Sequence, residues 1–177
     1  MSNIVYVGTS LDGFLADRDG KLDWLESIPN PDNNDFGWGE FMERIDAIVM
    51  GRKTFETILG FGMGWHYPKK VFILSNSLRS IPDELKDKVE IMNGTPAEIT
   101  DELNTKGYKN LYIDGGSTVQ EFLTDDLIDE LMINRLPILL GGGVPLFGDL
   151  PKHMMFEHIS TKILLNAMVF SHYKRKR

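Results

Sequence analysis

The stretch D-A-I-V-M-G-R-K-T-F-E, residues 46–56, constrains this chain more than any other. Ala47 to Met50 is a short apolar run of the buried-strand type, Gly51 ends it, and Thr54 introduces a segment that can be helical. The pattern is a strand, a tight turn and a helix start. Gly51 lets backbone come close to a ligand, Arg52 and Lys53 bring two positive charges to the turn, and Thr54 can cap a helix whose first amides point at whatever sits there. A phosphate suits that place, and so does an ordinary turn with solvated basic residues; this stretch alone does not separate the two.

The rest of the chain repeats the theme. Ile4 to Val7 is an apolar first strand without polar alternation, as in a strand covered on both faces, and is expected to be central. Thr9 to Ala16 and the turn Asp17 to Gly20 then form a long loop near the end of the sheet, a plausible cover over a site, with Trp24 and Leu25 anchoring its far side. The polar run 29–35 places Asp35 as N-cap of a short helix over Phe36 to Ile45. A helix from Thr54 runs to about Leu59, after which Gly60, Gly62 and Gly64 alternate with Phe61, Met63, Trp65 and Tyr67 in a loop that either closes over a ligand or fills a crevice.

Val71 to Leu74 is a third strand, followed by Ser75-Asn76-Ser77, and Val89 to Met92 is a fourth. Thr95-Pro96-Ala97-Glu98 opens a helix to about Lys106, with Thr as N-cap, Pro at the first helical position and Glu at the third. Leu111 to Ile113 is a fifth strand that enters Asp114-Gly115-Gly116-Ser117-Thr118 and a helix from about Val119 to Leu123, a second candidate phosphate cradle. A sixth strand grows out of Leu127 to Leu136 and is broken by Gly141-Gly142-Gly143. Ile159 to Tyr173 reads as an antiparallel pair with Asn166-Ala167 near its turn.

Strands alternating with helices predict a three-layer α/β fold with a mainly parallel central sheet, and the closing hairpin adds antiparallel strands at one edge. The 177 residues fit one domain, 1–177. No apolar run approaches the roughly 20 residues that span a bilayer, which makes the cytoplasm the default location and gives no membrane partner. The absence of cysteine excludes a disulfide framework and a thiol nucleophile, and the formal charge of −7 argues against non-specific nucleic-acid binding. The basic tail Lys174 to Arg177 reads as a solvated end.

Successive parallel strands deliver their following loops to the same edge, so Gly51 to Thr54, Ser75 to Ser77 and Gly115 to Thr118 should line one rim. Three such loops together point to a nucleotide. The hydroxyls and cations, with no acid next to Ser75-Asn76-Ser77, favour a 2′-phosphate and hence NADPH over NADH. Neither G-x-G-x-x-G after the first strand nor G-x-x-x-x-G-K-[ST] occurs. His66, His153, His158 and His172 lack metal-ligand spacing, so no metal is expected. Hydride transfer needs neither metal nor nucleophile, because the cofactor carries the chemistry.

M-G-R-K-T-F-E, I-L-S-N-S and I-D-G-G-S-T-V, in this order, resemble the three NADPH-binding segments of the dihydrofolate reductase fold. T-S-L-D-G-F-L-A and L-I-D-E-L-M-I-N-R-L-P-I-L-L-G-G-G-V-P-L-F look more like the C-terminal reductase domain of the bifunctional riboflavin biosynthesis deaminase-reductase. The resemblance implies that Gly51, Arg52, Lys53 and Thr54 hold the pyrophosphate, and that Leu74, Ser75, Asn76 and Ser77 surround adenosine and its 2′-phosphate. Gly115, Gly116, Ser117, Thr118 and Val119 would support the phosphates and nicotinamide side, with a cis peptide expected at Gly115-Gly116. Val7, Gly8, Leu15 and Ala16 would contact the nicotinamide, with Trp24 at the end of the lid. Asp35 lies where dihydrofolate reductases carry their pterin-binding carboxylate, and Asp114 could bind a polar substrate or act on its proton; each also has a purely structural reading.

The implied activity is NADPH-dependent reduction of a C=N or C=O bond in a small pterin-, pyrimidine- or flavin-precursor-like molecule. The alternatives are a genuine dihydrofolate reductase, an NADPH-binding module without turnover, and an interaction protein whose glycines are only turns. By analogy a homodimer is expected, with Leu136 to Phe147 as a candidate contact or, equally, a core strand and loop.

Overall fold

The computed structural model describes residues 1–62 and 64–177; Met63 of the glycine-interleaved run lies outside the described residues. Among the described residues there are ten strands: β1 (Ser2–Thr9), β2 (Phe14–Ala16), β3 (Ala47–Gly51), β4 (Lys70–Leu74), β5 (Val89–Met92), β6 (Asn110–Asp114), β7 (Glu130–Arg135), β8 (Val144–Pro145), β9 (Phe156–Leu164) and β10 (Met168–Arg175). Among the same residues four α-helices accompany them: α1 (Trp38–Arg44), α2 (Arg52–Gly60), α3 (Pro96–Thr105) and α4 (Gly116–Thr124).

Eight strands form one sheet in the order β5-β4-β3-β6-β1-β7-β10-β9. β1 is central, parallel to both β6 and β7, and β10 joins β7 antiparallel, so the hairpin closes one edge as expected. Alternation along the strands splits the core into two layers. Val5, Val7, Val49, Leu111 and Ile113 meet α3 and α4 on one face, through Ile99, Leu103, Val119 and Phe122. Ile4, Tyr6, Ile48, Met50 and Tyr112 meet α1 and α2 on the other, through Phe41, Met42, Phe55 and Ile58. The near-continuous apolar strands read in the sequence are those of a sheet buried on both faces.

Several local expectations shift. α2 starts at Arg52, so Thr54 is its third residue rather than its cap, and α4 starts at Gly116. α1 starts at Trp38 because Phe36 and Gly37 both adopt left-handed φ. All described peptide bonds are trans, that of Gly115-Gly116 included. The hairpin turns at Leu165-Asn166, both at positive φ, with the Ala167 amide donating to the Leu164 carbonyl.

The loop after β1 is held rather than loose: its β2 pairs with β8 in a small second sheet. The Asp12 carboxylate accepts from the Leu140 and Gly141 amides, and a Cβ at Gly143, φ +143°, would meet the Ala16 carbonyl oxygen. Within the run 136–147, Leu136 and Leu146 are buried while Leu139 and Phe147 are exposed. Among the described residues, no helix is long and apolar enough to cross a membrane.

Candidate functional site

β3, β4 and β6 run parallel in close register, with Gly51 opposite Leu74 and Met50 opposite Asp114, so their carboxyl ends share one edge. α2 and α4 both begin there, and their turns interlock. A Cβ on Gly51 would stand 2.9 Å from Thr118 Oγ1, and one on Gly115 would stand 2.1 Å from Thr54 Oγ1. The two hydroxyl side chains expected at a phosphate therefore face each other's glycine turn: Thr118 is buried and Thr54 half-buried, while Arg52, Lys53 and Ser117 are exposed. Val119 is fully buried and serves the core.

What the rim offers an anion is backbone. Neither α2 nor α4 has a side-chain cap or an acidic residue in its first turn. α3, by contrast, carries a complete capping box between Thr95 and Glu98. Two helix starts with free amides, side by side at one edge and at the positive ends of their dipoles, fit the pyrophosphate of a dinucleotide. Arg52 leans to one side of them: its NH1 donates to Ser77 Oγ at 2.9 Å and its Nε to Glu56 at 2.6 Å. Ser75 Oγ accepts from the Ser77 and Leu78 amides and so shapes its own loop, which leaves Arg52, Asn76 and the Ser77 hydroxyl as the polar surface at the end of β4.

At the end of β1, Leu15 from β2 and Val144 from β8 approach the α4 turn, 3.2 and 3.1 Å from where a Gly116 Cβ would be. Gly8 is covered by Leu25, whose Cδ2 lies 3.0 Å from its would-be Cβ. Val7 and Ala16 are buried. Trp24 sits apart from the rim, in a satellite cluster with Leu136 and Met168, and its indole N–H has no partner among the described residues.

The two carboxylates have different surroundings. Asp35 is exposed and spends both oxygens on its own turn, accepting from the Gly37 and Gly39 amides at 2.9 and 3.0 Å; these bonds hold its carboxyl below the usual carboxylate range. It stands on the wall of a cavity of about 370 Å³ between α1 and the hairpin, with Tyr6, Arg44, Lys162 and His172. Asp114 is half-buried at the end of β6, and Tyr67 donates to its Oδ2 at 2.9 Å. Burial pushes the Asp114 carboxyl up, against the lowering influence of the Tyr67 and Tyr112 hydroxyls, the Gly115 amide and nearby His66.

Around Asp114 stands an aromatic wall that the sequence left undistinguished. Trp38 lies 5.8 Å from Tyr6, 5.8 Å from Tyr112 and 6.2 Å from Tyr67, centroid to centroid. Tyr112 donates to the Tyr6 carbonyl at 3.0 Å. Tyr67 had appeared only as one of four apolar groups among glycines; nothing in its local pattern names a partner 47 residues away. A half-buried carboxylate beside Trp and Tyr rings can hold a flat heterocycle by its polar rim and its face.

The sequence pattern of the RibD C-terminal domain matches residues 66–169. An uncharacterised Bacillus subtilis protein, YwjB, is 31% identical over 175 residues, covering 97% of each chain. A crystal structure described as a candidate riboflavin biosynthesis protein of Shewanella sp. PV-4 superposes with a TM-score of 0.97 at 51% identity, each chain fully covered. The Thermotoga maritima diaminohydroxyphosphoribosylaminopyrimidine deaminase/5-amino-6-(5-phosphoribosylamino)uracil reductase superposes at 0.75 and 14% identity, over 99% of this chain and 56% of that one, and so shares the fold. On fold, rim and sequence together, the chain belongs to the RibD C-terminal domain family.

Proposed function

We propose that the chain is an NADPH-dependent reductase that delivers hydride to a C=N or C=O bond of a small pyrimidine-like or flavin-precursor-like molecule, acting in the cytoplasm. The observation that carries this is the pair of uncapped helix starts of α2 and α4 at one sheet edge, with the Arg52–Ser77 contact beside them. Those amides would hold the pyrophosphate. Arg52 and Ser77 meet the 2′-phosphate, where a charge-assisted bond discriminates NADPH from NADH. Leu15 and Gly116 would lie against the nicotinamide end.

NADPH supplies the hydride when bound. The chain's own residues orient the acceptor and move its proton. Asp114, raised by burial, gives the proton: its O–H bond breaks as an N–H or O–H bond forms on the substrate, the carbon of the double bond takes the hydride, and the carboxylate regains a proton from water. Asp35, committed to the Gly37 and Gly39 amides, serves the α1 turn and leaves the acid role to Asp114.

Fluorescence titration of both cofactors tests the cofactor reading. Wild type is expected to prefer NADPH, and Arg52→Ala to lose that preference roughly tenfold or more while leaving NADH affinity nearly unchanged. No binding of either cofactor by wild type would overturn the proposal.

A further inference from the structure

Tyr67 belongs to the glycine-rich segment between α2 and β4, where Gly62 and Gly64 take positive φ. Aromatic contacts pin this segment to the body: Trp65 lies 5.8 Å from Phe55 and 5.4 Å from Tyr67, and Tyr67 lies 6.2 Å from Trp38. The polar end of that anchor is the 2.9 Å hydrogen bond to Asp114 Oδ2. A tyrosine that served packing alone would send its hydroxyl to water; here it ends on the half-buried Asp114 carboxylate, with Trp38 against its ring.

We propose that Tyr67 is a positioning residue, which fixes the Asp114 carboxyl at the end of β6 and sets how readily that group gives up its proton. The proposal rests on Asp114 being the proton source of the reductase reading. Tyr67 holds the Oδ2 oxygen of that carboxyl. A hydrogen bond donated to a carboxylate favours its ionised form, so the loop's contact offsets part of the burial that favours the protonated form. The groups facing Asp114 are Tyr67 from the loop, Tyr112 from its own strand, His66 beside Tyr67, and the Gly115 amide, with Tyr6 on the neighbouring strand acting on Tyr112. Of these, Tyr67 donates the 2.9 Å hydrogen bond to the carboxylate from outside the sheet.

The test is carboxyl-carbon NMR titration of Asp114 in the full chain, assigned by its loss in Asp114→Asn. In Tyr67→Phe the Asp114 midpoint should rise by roughly 0.5–1 pH unit, a three- to tenfold gain in proton affinity. With 5,6-diaminouracil as a probe, read by Trp fluorescence, the pH at which affinity changes should move upward by the same amount. A Tyr67→Phe protein of unchanged melting temperature whose Asp114 midpoint stays put or falls would overturn the proposal. If that variant does not fold, wild type still decides: the Tyr67 phenol-carbon resonance should follow the Asp114 midpoint and lose that transition in Asp114→Asn, and a resonance blind to it overturns the proposal. NADPH titration of the same samples separates the two readings, since absent binding removes the reductase assignment whereas the NMR midpoints judge the Tyr67 contact.

Discussion

Gly115 and Thr54 stand so close that a Cβ on the glycine would lie 2.1 Å from the threonine hydroxyl oxygen, and Gly51 and Thr118 repeat the arrangement in reverse at 2.9 Å. Each helix start is thus seated against the glycine turn of the other. The two phosphate-binding elements read separately in the sequence are one interlocked unit, in which the glycines make room for side chains and the helix amides remain for a ligand.

Replacing Gly115 by alanine should be severe. Its φ of +89° with ψ of 136° is hostile to any side chain, and the new methyl collides with Thr54. We expect a loss of roughly 2–5 kcal/mol in urea unfolding. Adding Thr54→Ala should recover the packing share and leave the backbone share. Full recovery, or no initial loss, would show that the turn adjusts in a way the geometry does not allow.

The capping box of α3 offers a contrasting case. Thr95 accepts from the Glu98 amide, and Glu98 accepts from the Thr95 amide, at 3.3 and 2.8 Å. Thr95→Ala should cost about 1 kcal/mol of stability. Because its amides are already satisfied, the same change should leave NADPH affinity within about twofold, measured by the same fluorescence titration.

Acid stability should report the end of the chain. Arg175 grips Asp126 with two bonds of 2.8 and 3.0 Å, and Lys152 adds a second cation at 3.1 Å; together they hold the Asp126 carboxyl down to about 2. A carboxylate depressed in the folded state stabilises it above its unfolded value, about 3.9, and that contribution fades as pH falls toward 2. Asp126→Asn should therefore lower stability at pH 7 by about 1–2 kcal/mol and flatten the loss of melting temperature between about pH 4 and pH 2. An unchanged acid limb would show that other carboxylates dominate there.

The sequence carried the parts of the fold whose causes are local. Apolar runs ended by Gly51 and Asp114-Gly115 marked strand ends; Thr95, Pro96 and Glu98 marked a helix start; and the tail's alternation marked the hairpin. It could not carry what depends on contact between distant segments. Phe14 to Ala16 has no partner until Val144 and Pro145 arrive, so β2 read as loop. Thr54 read as a cap because only the neighbouring turn shows why it points inward. Trp24 read as part of a lid, and its burial depends on Leu136 and Met168. The candidate site was legible as a rim, through its glycines and hydroxyls. Its acid end was legible only in Asp114 itself, since Tyr67, Trp38 and Tyr6 carry no marker until the sheet brings them together.

The place of β1 has a consequence for how the chain matures. This strand precedes both of its neighbours in the chain, Asn110–Asp114 and Glu130–Arg135, by a long stretch. Until those segments leave the ribosome, an apolar strand waits with both edges bare, and closing such distant pairings is slow. The strand at the heart of the finished sheet is the one most in need of protection from other nascent chains, and helpers that bind extended apolar segments would act on it first.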